Sequence, residues 1–342
     1  MVKLRSFIAE VTTRCNHQCL HCYNVWESGR PYPRGELSTA ETQALYGKML
    51  DETGATLVTL TGGEPLLRAD LPQLVGYCAG RGATVNLITN GTLVDDAALG
   101  ALAGPGIGFW ELPLLSAKRA IHDEMSGMPG AFDKVTLAIA KLKAKKQRVV
   151  AVFVATRLNL PTLRDTIGLA VALGADGMMF NRFNPGGRGW RNFDRLSAPV
   201  AELQAALDTA EELSAAYHFP ISCSIPMPPC VFSTAQYKQL TFGFCAAGTE
   251  RAYYTLDPLG NVRPCNHSAT IIGNLREQPF ATMVRGNAMR EFLAALPEQC
   301  RSCAHADECR GCCKAAGESC CGDPRALDPF IARALAAGNA RS

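Results

Sequence analysis

Three cysteines fall within one eight-residue stretch, Cys15-Asn16-His17-Gln18-Cys19-Leu20-His21-Cys22. Three thiolates at this spacing can ligate three irons of a cubane if the chain wraps it as a loop. The fourth iron then lacks a protein ligand, as a catalytic site requires. Zinc is the other reading, and it wants a fourth ligand that His17 or His21 could supply. A second concentration lies at the far end: Cys245, Cys265, Cys300, Cys303, Cys309, Cys312, Cys313, Cys320 and Cys321. Cys78, Cys223 and Cys230 are scattered between. The chain opens without an export signal, so its 15 cysteines point to metal ligation in a reducing cytoplasm rather than to disulfides.

These loops need a frame. Apolar strand candidates at Leu4–Val11, Thr56–Leu60, Thr84–Thr89, Gly108–Leu112, Arg148–Ala155 and Gly177–Phe180 alternate with helical stretches such as Thr39–Glu52 and Ala131–Lys145. Six strand–helix units of this kind predict an α/β fold with a parallel sheet, a partial TIM-like barrel carrying its active loops at the C-terminal strand ends. The 342 residues divide into a barrel core (1–190), a helical and loop-rich bridge (191–244), a cysteine-rich region (245–327) and a short fraying helical tail (328–342). The cysteine-rich region is expected to lack an apolar core of its own, so that metal ligation organises it.

Composition narrows the function. With 34 Lys plus Arg against 31 Asp plus Glu, the net charge is +3, too balanced for a nucleic-acid binder that works by counterion release. No apolar run reaches the ~20 residues of a membrane span. The 47% hydrophobic content excludes global disorder.

Thr61-Gly62-Gly63-Glu64-Pro65 ends the second strand candidate. With this segment following the cysteine triad at successive strand ends, residues 4–180 resemble the radical S-adenosylmethionine (SAM) superfamily. The resemblance implies that Cys15, Cys19 and Cys22 hold a 4Fe–4S cluster whose open iron chelates the methionine moiety of SAM. An electron from the cluster would cleave SAM to a 5′-deoxyadenosyl radical, which abstracts hydrogen from substrate. By the same resemblance Gly62, Gly63, Glu64 and Pro65 form the site for the methionine amino group, and His21 is the aromatic-type residue before the last cysteine. Asn90 and Ser116, after the third and fourth strands, are further SAM contacts, although Ala117-Lys118 replaces the usual Asp-Gly. Arg157 and Asn159 are candidate partners for the SAM carboxylate and ribose, or polar residues closing a strand. Tyr23 packs either on adenine or on the core.

The C-terminal array, Cys245, Gly260-x4-Cys265, Cys300-x2-Cys303-x5-Cys309-x3-Cys313 and Cys320-Cys321, resembles the SPASM extension of radical SAM enzymes. That extension implies two auxiliary 4Fe–4S clusters, three clusters in all. Cluster I would use Cys245, Cys265 and Cys313, with Cys230 as the upstream candidate to complete it. Cluster II would use Cys300, Cys303, Cys309 and one of Cys320 or Cys321. Cys312 is then a spare, and Cys78 a small buried residue. Cys223 and Cys230 have a second reading as hydrogen-atom donors near the barrel mouth, beside that of ligand or buried thiol. His267 could tune a cluster by hydrogen bonding or be a turn residue, His122-Asp123 has no assigned role, and the run Phe180–Gly189 could cradle adenine or substrate.

The resemblance points to a cytoplasmic oxidoreductase that modifies a ribosomally made precursor peptide (RiPP) by cross-link, backbone change or epimerisation. Its partners would be that peptide, a separate leader-recognition protein, since no fused domain precedes the first strand, and an electron donor such as flavodoxin or ferredoxin. No nucleic acid or membrane is expected. The alternative is a dehydrogenase or epimerase of a small molecule such as a sugar, aminoglycoside or cofactor precursor. A zinc-ribbon scaffold without catalysis is the third reading.

Overall fold

The computed structural model describes residues 2–104 and 106–339. Six parallel strands, β1 (Ser6–Thr12), β2 (Leu57–Gly62), β3 (Thr84–Ile88), β4 (Ile107–Pro113), β5 (Val149–Ala155) and β6 (Gly177–Arg182), pair in chain order. They match the expected strands to within a few residues. Between and after them run α1 (Thr39–Thr53), α2 (Leu71–Gly80), α3 (Asp96–Leu102), α4 (Arg119–Ser126), α5 (Ala131–Ala144), α6 (Leu163–Ala172), α7 (Gly187–Arg191), α8 (Phe193–Leu196) and α9 (Val200–Tyr217). The sequence sets these limits locally. In α1 the Ser38 side chain accepts from the Glu41 amide and the Glu41 carboxylate accepts from Ser38, while Gly54 ends the helix at a φ of 66°.

The segment 191–244 is more than a bridge. Its two short strands, β7 (Ile221–Cys223) and β8 (Leu240–Phe242), extend the same parallel sheet beyond β6. On the other edge β9 (Thr255–Leu256) pairs parallel to β1, and antiparallel β10 (Asn261–Arg263) and β11 (Gly273–Asn274) follow. The result is an open sheet of 11 strands, in which β11 and β8 are the edges and the barrel does not close. The cysteine-rich region is thus joined to the first barrel strand by its own backbone.

Strand alternation sorts side chains to two faces. Phe7, Ala9, Val11, Val58, Leu60, Val85, Leu87, Trp110 and Leu112 pack outward against α1, α2, α3 and α5 in one apolar core. Ala151, Phe153, Phe180, Ile221 and Cys223 do so against α6 and α9 in a second. The opposite parity, carrying Glu10, Asn86 and Glu111, faces the concave side, and all three are buried.

Two expectations for the C-terminal part change. Residues 247–292 do have an apolar core, because Tyr254, Leu256, Val262, Phe280, Met283, Met289 and Phe292 enter the first barrel core. Helices α10 (Phe280–Arg285) and α11 (Asn287–Ala294) supply much of it. The short helices α12 (Ala306–Cys309) and α13 (Lys314–Cys321) follow. The tail is also anchored: in α14 (Pro329–Ala336) Phe330, Ile331 and Ala334 are buried, and Asp328 caps the helix by accepting from the Phe330 amide. Residues 340–342 of the expected tail, and Met1, lie outside the described residues. Among the described residues no helix is long and apolar enough to cross a membrane.

Candidate active site

The cysteine loop leaves β1 and is laced to the ends of β2 and β3. The Gly63 and Glu64 amides donate to the Thr12 and Arg14 carbonyls, each at 2.8 Å. Asn24 Nδ2 donates to the Gly62 carbonyl at 3.0 Å, and Asn90 Nδ2 to Asn16 Oδ1 at 2.7 Å. Gly63 has to be glycine here, since a Cβ would stand 2.0 Å from the Arg14 carbonyl oxygen. Glu64 is fully buried and its carboxylate accepts from Thr89 Oγ1 (2.7 Å), the Asn90 amide (2.7 Å) and the Leu66 amide (3.0 Å). In this structure the carboxylate therefore ties β2 to β3, and burial raises its pKa against those three hydrogen bonds. Pro65 opens the short turn that follows.

Cys15, Cys19 and Cys22 lie close enough to act on one another. Burial raises the Cys19 thiol far above its ordinary range, and the neighbouring Cys22 and Cys15 thiolates add to the shift. Burial likewise pushes Cys22 up to about 11. The opposing influences are donors: Arg188 faces all three sulfurs, and the His17 amide points at Cys15 Sγ from 3.4 Å. Such thiols ionise when a metal takes the proton's place. Among the described residues no three His, Cys, Asp or Glu side chains close on a single ion, and a mononuclear site needs every donor within about 2.3 Å. His17 Nε2 is instead 3.2 Å from Thr92 Oγ1, and His21 is enclosed with no partner on Nδ1. Burial, followed by neighbouring His122, lowers both imidazoles to about 4. Three thiols spread along one loop and backed by a cation fit a multi-iron cluster.

The glycine-rich exit of β6 supports this loop. Gly186, Gly187 and Gly189 lie against the backbone of His21–Asn24, and the Gly189 amide donates to the Cys22 carbonyl at 2.9 Å. Gly187 has a φ of 48°, and a Cβ on it would sit 2.5 Å from the Asn24 carbonyl oxygen. The run expected to cradle adenine or substrate packs on the cysteine loop. Arg188, braced by Glu27 at 2.6 Å, reaches the triad from here.

Several residues expected to contact SAM have partners within this fold. Ser116 is fully buried, 2.9 Å from Thr162 Oγ1, and accepts from the Lys118 amide. Asn159 uses its whole amide on Thr156, Leu115 and Val154. Arg157 is exposed on the loop after β5. His122 donates to or accepts nothing from the triad: its Nε2 meets the Pro113 carbonyl at 3.3 Å, while Asp123 accepts from the Gly130 and Phe132 amides and fixes the turn into α5. Tyr23 packs on His267 with ring centroids 4.0 Å apart and planes inclined by 32°, and its hydroxyl accepts from Asn266 Nδ2 at 3.0 Å.

The remaining cysteines separate into groups. Cys245 and Cys313 are the thiols that face Cys265, which burial pushes up to about 12. Cys309, Cys303 and Cys300 face Cys230. The structure thus moves Cys230 from the first auxiliary group to the second. The loop leading to it is pinned there, because the Pro226 carbonyl accepts from Arg182 Nε (2.8 Å) and Cys312 Sγ (3.5 Å). Cys320 faces Cys321 and Asp328, and its thiol donates to the Gly317 carbonyl at 3.1 Å. Cys321 is exposed. Cys223 is 1% exposed in the outer apolar core, on the side away from the concave face, which removes it as a hydrogen-atom donor. Cys78 is a fully buried core residue of α2.

Sequence reading missed two buried ion pairs that join the regions: Glu10 on β1 with Arg263 on β10, and Arg182 on β6 with Asp328 at the tail. Each arginine sits in a strand and is essentially unexposed. An arginine within an apolar strand pattern was the available signal that a buried acid had to meet it.

Known proteins resemble the chain over its whole length. The radical SAM superfamily profile matches residues 9–170, and an iron–sulfur cluster-binding domain, SPASM, matches residues 245–313. A PqqA peptide cyclase of Ruegeria pomeroyi is 30% identical over 339 residues, covering 96% of this chain and 87% of that protein. An AdoMet-dependent heme synthase of Oleidesulfovibrio alaskensis is 29% identical over 353 residues, covering 94% and 85%. Among solved structures, Streptococcus suis SuiB bound to precursor peptide SuiA superposes with a TM-score of 0.74 at 14% identity, covering 96% of this chain and 75% of that one. Native anSMEcpe with bound AdoMet gives 0.72 at 18% identity, covering 97% of each. Both show the same fold. With the cysteine loop, the Gly-Gly-Glu-Pro strand end and the cysteine-rich extension in place, this chain belongs to the radical SAM superfamily and is a SAM- and iron–sulfur-binding enzyme of its SPASM-bearing branch.

Proposed function

We propose that the enzyme abstracts a hydrogen atom from carbon in a ribosomally made precursor peptide, and that three 4Fe–4S clusters serve the reaction. Cys15, Cys19 and Cys22 would hold the cluster that binds SAM, which supplies the 5′-deoxyadenosyl radical when both are bound. The observation that carries this reading is the lacing of the cysteine loop to Gly62–Glu64 and Asn90, which holds the three thiols at the ends of β2 and β3. Gly62, Gly63, Glu64 and Pro65 would form the site for the methionine amino group, beside Asn90, which is held by Asn16 and Thr92. Arg188 offsets the negative charge of the thiolates.

For the auxiliary clusters, Cys245, Cys265 and Cys313 would hold one, and Cys300, Cys303 and Cys309 with Cys230 the other. Two thiolate-rich sites beyond the SAM site suit an oxidative outcome, in which the substrate loses a second electron. A leader-recognition protein and a flavodoxin- or ferredoxin-like donor complete this scheme. The peptide substrate is supported by the PqqA peptide cyclase relatives. A cofactor-precursor substrate is the second reading, favoured by relatives named AdoMet-dependent heme synthase.

The test is anaerobic reconstitution, with iron and sulfide counts and a 5′-deoxyadenosine assay under reductant. About twelve irons per chain, four per cluster, with SAM cleavage lost in Cys15/Cys19/Cys22→Ala, is expected. About four irons would leave the radical core and remove the auxiliary assignment. Mass spectrometry of a short peptide encoded beside the enzyme, run against a tetrapyrrole precursor, separates the two substrate readings.

A further inference from the structure

One polar side chain at the exit of β6 touches a thiol of the cysteine-rich region and, through His267, reaches the triad loop. Asn184 is 5% exposed, and its Nδ2 lies 3.5 Å from Cys313 Sγ and 3.1 Å from His267 Nδ1. His267 is itself enclosed between the barrel and the cysteine-rich region. Its Nδ1 lies 3.1 Å from Asn184 Nδ2 and accepts from it in the Nε2–H tautomer. Its ring packs on Tyr23, the residue after Cys22. The chain Cys22–Tyr23–His267–Asn184–Cys313 therefore runs unbroken from the triad loop to the Cys245/Cys265/Cys313 group.

The amide orientation follows from what surrounds it. With Nδ2 on this side the amide donates to the His267 Nδ1 of the Nε2–H tautomer and to the Cys313 sulfur; turned over, it would leave that sulfur without an N–H. In the observed orientation Oδ1 is buried with no partner among the described residues. A buried acceptor left unpaired is costly and uncommon, and here the nitrogen's two contacts are what the arrangement preserves.

We propose that Asn184 is a positioning residue that raises the reduction potential of the cluster held by Cys245, Cys265 and Cys313, through N–H donation to the Cys313 thiolate, while holding the His267–Tyr23 pair between the two groups. This rests on the cluster reading above. An N–H donated to a ligating sulfur stabilises the reduced, more negative state, and hydrogen bonds to sulfur are among the levers that set such potentials. A purely structural Asn184 would brace the Gly-rich exit and leave the potential where it is.

The experiment uses the full chain carrying Cys15/Cys19/Cys22→Ala, so that only auxiliary clusters load. About eight irons are expected for two clusters, and a protein that binds none refutes the auxiliary reading itself. Redox titration followed by electron paramagnetic resonance is then compared across variants. In N184A one of the two transitions should move to more negative potential and the other stay. N184D should move the same transition further, because its carboxylate sets a negative charge beside the thiolate, and N184Q should recover part of the shift. Full iron in N184A with both transitions unmoved would overturn the proposal. If N184A loads poorly, N184D and N184Q carry the comparison, and equal potentials in those two would overturn it as well.

Discussion

The two halves of the cysteine-rich region hold together by different means. Residues 247–292 put Tyr254, Leu256, Val262, Phe280, Met283, Met289 and Phe292 into the barrel core and pair β9 with β1. Residues 300–321 contribute only Cys313, Ala315 and Ala316 to a small cluster beside Cys265. The second half also stores strain: Arg310, Gly311 and Cys312 follow one another at φ of 54°, 82° and 63°. A non-glycine residue there costs about 1–3 kcal/mol unless the surroundings over-determine it. The first half is thus held by apolar burial, which needs no ligand. The second is held by polar ties, such as Lys314 to the Arg310 carbonyl and Ser268 to Glu318, and by its thiols. Metal ligation is therefore expected to organise the second half of this region more than the first.

Removing the iron should break the comparison most visibly. Chelation of the reconstituted protein is expected to speed amide exchange in 300–321 by about ten-fold or more, or ~1.4 kcal/mol of local stability. Exchange in β9 and β10 should barely change. Hydrogen-exchange mass spectrometry reads both segments in one sample, and equal acceleration would mean that both halves depend on metal.

The grouping of Cys230 with Cys300, Cys303 and Cys309 sharpens the contrast, because it ties the weak half to the loop after β7. Cys230→Ser is expected to lose about four irons per chain, whereas Cys321→Ser should lose none. The reverse result would restore the C-terminal pair as ligands. Arg263→Met leaves Glu10 buried beside no cation. Breaking a buried pair from one side costs about 3–5 kcal/mol, read as a lowered urea midpoint. Glu10→Gln combined with Arg263→Met should recover part of that loss.

The sequence carried the barrel strands because their apolar runs are unbroken, and it carried the triad because three cysteines in eight residues admit few other uses. It also carried Gly62–Pro65, whose glycines are demanded by backbone contact that no other residue permits. It did not carry the partners of Ser116 and Asn159, since a polar residue at a strand end reads alike whether it meets a ligand or a neighbouring carbonyl. The placement of Cys230 depended on how the 221–232 loop folds back on Cys312, a contact 86 residues apart that no local period encodes. The packing of 247–292 was obscured because α10 and α11 are only 6 and 8 residues long, too short for a clear helical period among the turns and cysteines.

A last test sets the concave face of the barrel against its apolar outside. Glu111 on β4 is 8% exposed, points inward and has no side-chain hydrogen bond or ion pair among the described residues. Burial alone raises its pKa from 4.5 to about 7. A carboxyl whose folded pKa lies above its unfolded value stabilises the fold while it stays protonated. That contribution is complete below pH ~4.5 and is lost as pH rises through about 7. A shift of this size corresponds to about 3 kcal/mol. Glu111→Gln keeps the shape and removes the titration, so at pH 5 the two proteins should unfold at nearly the same urea concentration. At pH 8 the variant should be the more stable by about 3 kcal/mol at most, since the parent then carries a buried charge without a partner. A constant difference between the two across pH 5–8 would mean that Glu111 meets water or a cation within the concave face, and that this face is wetter than its burial implies.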